Sequence, residues 1–410
     1  MTQANALLRK ANRLIRAHRP KESDEWRYTV RRQRVAMDPR PSRERELTYV
    51  FFRSFGCRYD RAGECTMCNY AVAERVDAPS MVESVREALS QQSAYDALGV
   101  SPLGNMFDPS EVPAAARETI LDMVAAVPGN IYSCESRPET LTEPLIAETV
   151  ARLKGKRFFI NLGLESAHPW VQAHCVGKSL NSQSYRAATA ALRAQGGFPV
   201  TNVLLGAPFL TEEEAIESAA GTVRWALANG SHICVLFPSN IKGWTLQEWL
   251  WERGLYRTPS LWALVEALRR MGPEVTRSVA LSWYSTTPTD PRRMAQVSDP
   301  LREAPVTCPL CQHQVVALLD EFNAGSGYEA VEELSRWDCA CRQEWLDRVA
   351  EESRAAAPLG SRVRESYTRI AEELVGGAWW DRRRAHVEQE LVGGYDGEVS
   401  VPATVGGRPA

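Results

Sequence analysis

Residues 51–72, FFRSFGCRYDRAGECTMCNYAV, begin at the end of an apolar run and carry Cys57, Cys65 and Cys68 in the spacing C-x7-C-x2-C. An apolar run passing directly into a loop rich in Gly, Arg and Cys reads as a strand that delivers ligands at one end of a sheet. Three thiolates on one loop hold three irons of a 4Fe-4S cluster and leave the fourth iron open, because four cysteines would complete the coordination. The competing readings are a zinc knuckle short of one ligand and buried structural thiols. No His lies in this stretch, which counts against zinc.

Downstream, short apolar runs alternate with longer amphipathic stretches, the pattern of repeated βα units and a parallel sheet. Strands are expected at 48–52, 97–103, 130–136, 157–165, 198–206 and 232–238, separated by helical patterns such as MVESVREALSQ and AARETILDMVAAV. The fold class is α/β: a partial (βα)6 TIM-type barrel, shorter than the eight-unit form and open on one side, with the cysteine loop at its mouth. Four segments are expected: a basic, partly helical N-terminal arm (1–46), the partial barrel (47–290), a small Cys-rich module (291–352), and a helical extension with a Gly/Pro-rich flexible tail (353–410).

A chain of 410 residues with 44% hydrophobic content can bury a large core. Its net charge of -3 gives no global attraction to polyanions, so any RNA contact falls to the basic arm (RLIRAHRP, RYTVRRQRV), for which a solvated amphipathic helix is the competing reading. No run of 18 apolar residues occurs and the N-terminus lacks the apolar core of a signal peptide, so a cytoplasmic protein without a membrane segment is expected. Thiols are kept reduced there, and seven of the ten cysteines sit in close spacings. Cys134 and Cys234 fall inside expected strands and read as small core residues, and Cys175 reads the same way, with a reactive thiol as the alternative.

Cys308, Cys311, Cys339 and Cys341 form C-x2-C, 27 intervening residues and C-x-C. Two close pairs of thiolates fit a closed tetrahedral zinc site that staples a small module; an auxiliary 4Fe-4S cluster is the rival. His313 reads as a bystander.

The loop GCRYDRAGECTMCNY resembles that of the radical S-adenosylmethionine (SAM) enzymes of archaeosine biosynthesis, with their long first Cys spacing and CxMCxY ending. NMFDPSEVP, CESRPE, NLGLES, APFLTEEEAI and LFPSNIKGWTLQEWLWERGLYRTPSLWALVEAL are similar to later motifs of that family, and the CPLC and CAC pairs have counterparts there. The likeness spans about residues 48–345 and departs from the family at Pro238, Ser239 and Asn240. It implies that SAM chelates the open iron and is cleaved reductively to a 5'-deoxyadenosyl radical that takes a hydrogen from substrate. A reducing partner such as flavodoxin or ferredoxin would supply the electron. The outcome it implies is lyase-type C-N bond cleavage in a modified nucleobase borne by tRNA or in an amino-acid-derived metabolite. The alternatives are a bacterial natural-product tailoring enzyme with another outcome, and a non-catalytic zinc and RNA-binding protein.

Ligands of such barrels gather at the C-terminal strand ends. On that ground Gly104 and Asn105 are expected at the methionine amino group, Glu135 and Glu165 at a ribose hydroxyl, and Arg137 as a fork for the SAM carboxylate, with an internal ion-pair network as the competing reading. Gly206, Ala207 and Pro208 would let backbone approach the adenine, with Phe209 or Leu210 covering it, and Asn240 and Lys242 face the same mouth. Lys178 could meet an anionic substrate, or be a solvated surface charge.

Overall fold

The computed structural model describes residues 2–19, 27–70, 75–178, 181–285 and 301–392. The expected tail beyond 392 lies outside them. Eight strands form one sheet in the spatial order β1-β2-β3-β4-β5-β6-β7-β9: Tyr28–Ala36, Glu44–Phe52, Ala97–Pro102, Ile131–Ser136, Arg157–Glu165, Phe198–Leu205, Ile233–Pro238 and Val279–Leu281. β1 and β2 are antiparallel and every later neighbour is parallel, so the sheet is a curled half-barrel. A short antiparallel ribbon pairs β8 (Ile241–Lys242) with β10 (Leu301–Glu303).

The six expected strands are β2 to β7, and the sheet gains one strand at each edge. β1 comes from the stretch expected to be an arm: its pattern Tyr-Thr-Val-Arg-Arg-Gln-Arg-Val-Ala buries one end and exposes Arg32, Gln33 and Arg34, as a charged edge strand does. The helix expected over ALLRKANRLIRAH is present as Gln3–Arg16.

Side chains on the outer face of the sheet, such as Phe52, Val100, Tyr132, Ile160 and Leu236, pack under the flanking helices in the main core. Each such burial contributes about 1.5–3 kcal/mol. Inward-facing Tyr49, Ile131, Phe159, Val200, Ile233 and Ala280 join Val35 of β1 to plug the barrel floor. Above the plug the inward positions become partly accessible: Phe51, Glu135, Asn161, Glu165, Asn202 and Phe237 are half-buried while their outward neighbours Phe52, Cys134, Leu162, Leu164, Val203 and Leu236 are buried. That period-two accessibility over parallel strands outlines a lumen open at the C-terminal strand ends.

The Cys-rich segment has no core of its own. Cys311, Val315, Leu319, Val331, Leu334 and Trp345 belong to the main core cluster. A second core joins Leu7 and Leu8 of the N-terminal helix to Val171 and Val176, to Leu246, and to Val363 and Tyr367 of the helix Leu359–Ile370.

Candidate functional site

The cysteine loop leaves β2 at Phe52, makes one short helical turn (Arg58–Ala62) and reverses at Gly63, whose φ of 83° and contact with the Arg9 carbonyl leave no room for a side chain. The loop closes on itself through Cys57 N–H donating to the Tyr70 carbonyl at 3.3 Å. Cys65 and Thr66 donate to the carbonyls of Gly177 (3.2 Å) and Val176 (2.9 Å), and Gln247 N–H donates to the Thr66 carbonyl at 2.9 Å. Asn69 donates from Nδ2 to the Gly243 carbonyl at 2.9 Å. The basic residues of the N-terminal helix turn toward this loop: Arg9 pairs with Glu64, Arg16 with Asp60, and Arg13 donates to the Ala62 carbonyl. Arg9 and Arg16 are thereby largely covered, while Arg13 stays exposed.

All three loop thiols are held in the neutral form by burial, Cys57 pushed up to about 12, Cys65 well above the ordinary thiol range and Cys68 raised. Each also feels a cation that favours its thiolate: Arg137 at Cys57, Lys178 at Cys65 and Lys242 at Cys68. Three half-buried thiols matched by three cations suit an electron-poor group that draws off the protons, as a bound iron-sulfur cluster does.

Arg137 takes a different place from the one expected. Its guanidinium is spent on Asp108, on Glu111 at 2.6 Å and on Glu139 at 3.1 Å, and Nη1 also points at the Cys57 sulfur at 3.7 Å. The fork is engaged by three carboxylates, and its partners are Asp108, Glu111 and Glu139, a different set from the expected network with Glu135 and Glu165. Glu111, fully buried, accepts from Arg58 N–H (2.7 Å) and Asn105 N–H (2.7 Å) and so ties the cysteine loop to the end of β3. The side chain of Asn105 donates from Nδ2 to Thr140 and accepts at Oδ1 from Ser136 and from Phe107 N–H. Gly104 packs against Cys57, where a Cβ would lie 3.3 Å from Cα and Cβ of the cysteine and collide with Glu111. Sequence reasoning passed over Asp108 and Glu111 as site residues. Their signal was present in the motif FDPSEVP, but two carboxylates in a polar loop read as solvated until Arg137 is seen between them.

Glu165 ends β5 beside a bulge and pairs with Lys178 at 2.7 Å, while Lys178 also donates to the Gly163 carbonyl at 2.6 Å. Lys178 is thus a buried partner of Glu165 and not a surface charge. On the other wall Lys242 donates to the Tyr70 hydroxyl at 3.0 Å and lies over the rings of Tyr70 (4.1 Å) and Trp283 (5.1 Å). Arg31 of β1 covers Trp283 at 5.3 Å. Glu135 stands between these walls with no side-chain hydrogen bond from the described residues. Burial pushes its carboxyl up to about 7, Lys242 and Arg31 favouring and Glu165 opposing its charge. Gly206 (φ 96°) presses on Pro259 and its carbonyl accepts from Tyr256 at 2.7 Å. Asn240 donates to the carbonyls of Pro238 (3.0 Å) and Trp283 (3.4 Å), and its Oδ1 is a buried acceptor without a partner. Backbone strain concentrates here: Cys65, Glu165, Phe209, Trp244 and Trp283 all hold φ between 57° and 72°, each at a cost of about 1–3 kcal/mol.

Cys134, Cys175 and Cys234 are fully buried. Cys308, Cys311, Cys339 and Cys341 converge so that all four sulfurs lie within 4.8 Å of one another, with Cys308–Cys311 at 3.5 Å, Cys308–Cys339 at 3.6 Å and Cys311–Cys341 at 3.5 Å. A tetrahedron with metal–sulfur bonds of about 2.3 Å has edges of about 3.8 Å. Trp262 Nε1 donates to the Cys341 sulfur at 3.4 Å. Among the described residues this is the one such tight set; Cys57, Cys65 and Cys68 do not crowd around a single point.

A parallel half-barrel with three cysteines on the loop after its first parallel strand, and a lumen above a closed floor, resembles the arrangement of the radical SAM superfamily. Within that class the chain resembles the enzymes of archaeosine synthesis. It is 26% identical over 335 residues to archaeosine synthase subunit beta of Methanosarcina acetivorans, covering 77% of this chain and 92% of that protein. It is 27% identical over 229 residues to archaeosine synthase subunit beta of Thermococcus kodakarensis, covering 54% of this chain and 70% of that one. Among solved structures, methylornithine synthase superposes with a TM-score of 0.42 at 13% identity, over 68% of this chain and 70% of that chain. No family model matches the chain. No helix among the described residues is long and apolar enough to cross a membrane.

Proposed function

We propose that the chain is a radical SAM enzyme in which Cys57, Cys65 and Cys68 hold a 4Fe-4S cluster and the lumen holds SAM and substrate together. The observation that carries this reading is the set of three half-buried thiols on one loop, each facing a cation that favours its thiolate, beside a half-open polar lumen. The bound pair would supply a 5'-deoxyadenosyl radical by one-electron reduction, the electron coming from a flavodoxin or ferredoxin. The protein's own residues do the rest. The carbonyls at Gly104 and Asn105, the carboxylate of Glu165 and the unfilled acceptor of Asn240 are the groups at the strand ends that would orient SAM. Gly206 would let the adenine approach the backbone. Glu135, poised near neutrality, can hold or release a proton at a substrate nitrogen, a role that suits cleavage of a C-N bond.

The named relatives favour a modified nucleobase as substrate, carried on tRNA. An amino-acid-derived small molecule is the second reading, favoured by the engagement of Arg9 and Arg16 with the cysteine loop. The four-cysteine set is assigned to zinc in the same proposal, because its sulfur separations suit one tetrahedral ion, whereas cysteines of a 4Fe-4S cluster bind four different irons and stand further apart.

Anaerobic reconstitution tests the assignment. The wild-type chain should take up about four irons at this site and form 5'-deoxyadenosine from SAM with dithionite. Replacing Cys57, Cys65 and Cys68 by Ala should abolish both. Iron uptake or turnover that survives the triple replacement would overturn the assignment.

A further inference from the structure

We propose that Arg16 is a positioning residue for the cluster: it presets the cysteine loop for cluster binding and biases the ease with which the bound cluster accepts an electron. The proposal rests on the cluster reading given above. Arg16 is the last residue of the helix Gln3–Arg16, and its side chain is 8% exposed. Nη2 donates to the carbonyls of Glu64 (3.0 Å), Cys65 (2.9 Å) and Cys68 (2.7 Å). Nη1 donates to the Asp60 carbonyl at 2.7 Å, and Nε lies 2.8 Å from the Asp60 carboxylate. One guanidinium therefore gathers four loop carbonyls, two of them on cluster cysteines.

Carbonyl oxygens that converge on one point repel each other unless a cation sits there, and buried carbonyls without a donor cost free energy. The left-handed φ of 60° at Cys65 is held in place while the Cys65 carbonyl points at Arg16. Lysine could not substitute. Its ammonium has three donors and no fork, and the geometry calls for a planar five-donor group.

The helix carrying Arg16 reads the loop along one stripe. Arg9 meets Glu64, Asn12 donates to the Gly63 carbonyl at 2.8 Å, Arg13 meets Ala62 and Arg16 meets Cys65 and Cys68. Positions 9, 12, 13 and 16 share a helix face. On the opposite side of the interface Ala4, Leu7, Leu8 and Ala11 are buried in the second core, so the register is fixed by packing. Electrostatically, the cation acts on the cluster through the peptide groups of its ligands, offset in part by Asp60 and reinforced by Arg19, 3.6 Å from that carboxylate.

The test compares full-length wild type, Arg16→Gln, Arg16→Lys and, as a control for helix docking, Lys10→Gln, whose ammonium lies over Trp379 away from the loop. Each is reconstituted anaerobically; release of iron to a chelator and the midpoint potential of the cluster without SAM are measured. Arg16→Gln should release iron about tenfold to a hundredfold faster and show a lower potential. Arg16→Lys should release iron faster than wild type yet keep a potential near it, separating shape from charge, and Lys10→Gln should match wild type in both. If both Arg16 variants match wild type in release and potential while the triple cysteine variant takes up no iron, the Arg16 role is overturned and the cluster reading stands. If wild type itself takes up no cluster, the cluster reading fails and the Arg16 role with it.

Discussion

Glu135 faces the lumen at the end of β4, in a strand whose other residues are apolar or small, and its carboxyl is raised from 4.5 to about 7 mainly by burial. In the unfolded chain the same carboxyl ionises near 4.5, so below that pH neither state is charged and Glu135 costs nothing. As pH rises through the interval to about 7 the unfolded state loses its proton first, and the folded state loses stability until Glu135 ionises as well. Glu135→Gln should therefore raise the stability of the ligand-free protein by about 1–2 kcal/mol at about pH 8, after discounting for partial solvent contact, and change little near pH 4.5. Denaturant melts at the two pH values check this. A variant less stable than wild type at the higher pH would mean that Lys242 or Arg31 already neutralises the carboxylate. At Glu111 burial also raises the carboxyl, but its oxygens are held by Arg137 and two backbone amides, so loss of a network partner outweighs the relief of burial. Glu111→Gln leaves Arg137 short of a partner and should cost about 3–5 kcal/mol, read from the shift in the denaturant midpoint.

Strands β2 to β7 were legible because a strand covered on both faces is a nearly unbroken apolar run, and six such runs separated by amphipathic helices admit few topologies. β1 was hidden for the converse reason. An edge strand may carry charges on its free side, and YTVRRQRVA resembles a basic arm until Tyr28–Ala36 pairs with Glu44–Phe52. β9, with three residues, is too short for a periodic signal. The cysteine loop was legible from spacing alone, whereas its grip by Arg16, some 50 residues upstream, and the Asp108–Arg137–Glu111 network depend on contacts that no local pattern encodes. The C-terminal pairs show what structure adds to spacing. The sequence allowed zinc or a second cluster, and sulfur separations of 3.5–3.6 Å favour one ion. Cys311→Ser should accordingly remove about one zinc per chain without removing iron from the cysteine loop. Because Cys311, Val315 and Trp345 share the main core, the loss should destabilise the whole protein by at least a few kcal/mol. Elemental analysis with thermal melts tests both. Loss of iron instead of zinc would restore the auxiliary cluster.

At the scale of the whole molecule, the two ends of the described chain meet at the helix that grips the cysteine loop. Gln3 and Ala4 N–H, at the start of the N-terminal helix, both donate to the Glu390 carboxylate at 2.7 Å, where a negative charge also meets the helix dipole. The helix Gly377–Leu391 that carries Glu390 packs with Leu359–Ile370 into the second core, and Tyr367 there donates to the His174 carbonyl at 2.8 Å. His174 lies against Trp170, with ring centroids 4.8 Å apart, and burial pulls its pKa down to about 4 although Glu390 works the other way. The unfolded chain takes up this proton near 6.5 and the folded chain only near 4, so stability is complete above 6.5 and falls as pH drops across that window, by up to about 3 kcal/mol. The loss falls on the core that seats the N-terminal helix and, through Arg16, the loop of Cys65 and Cys68. Relative to the slower intrinsic rate in acid, the protection of amides in Gln3–Arg16 should therefore fall between pH 7 and about 5 more than that of amides in β5 or β6. His174→Gln, which takes up no proton, should flatten that difference, while Glu390→Ala should raise exchange in the helix at both pH values by about 1–2 kcal/mol in opening free energy. Equal protection of the helix at pH 7 and pH 5 in the wild-type chain would show that the second core does not couple acid to the cysteine loop.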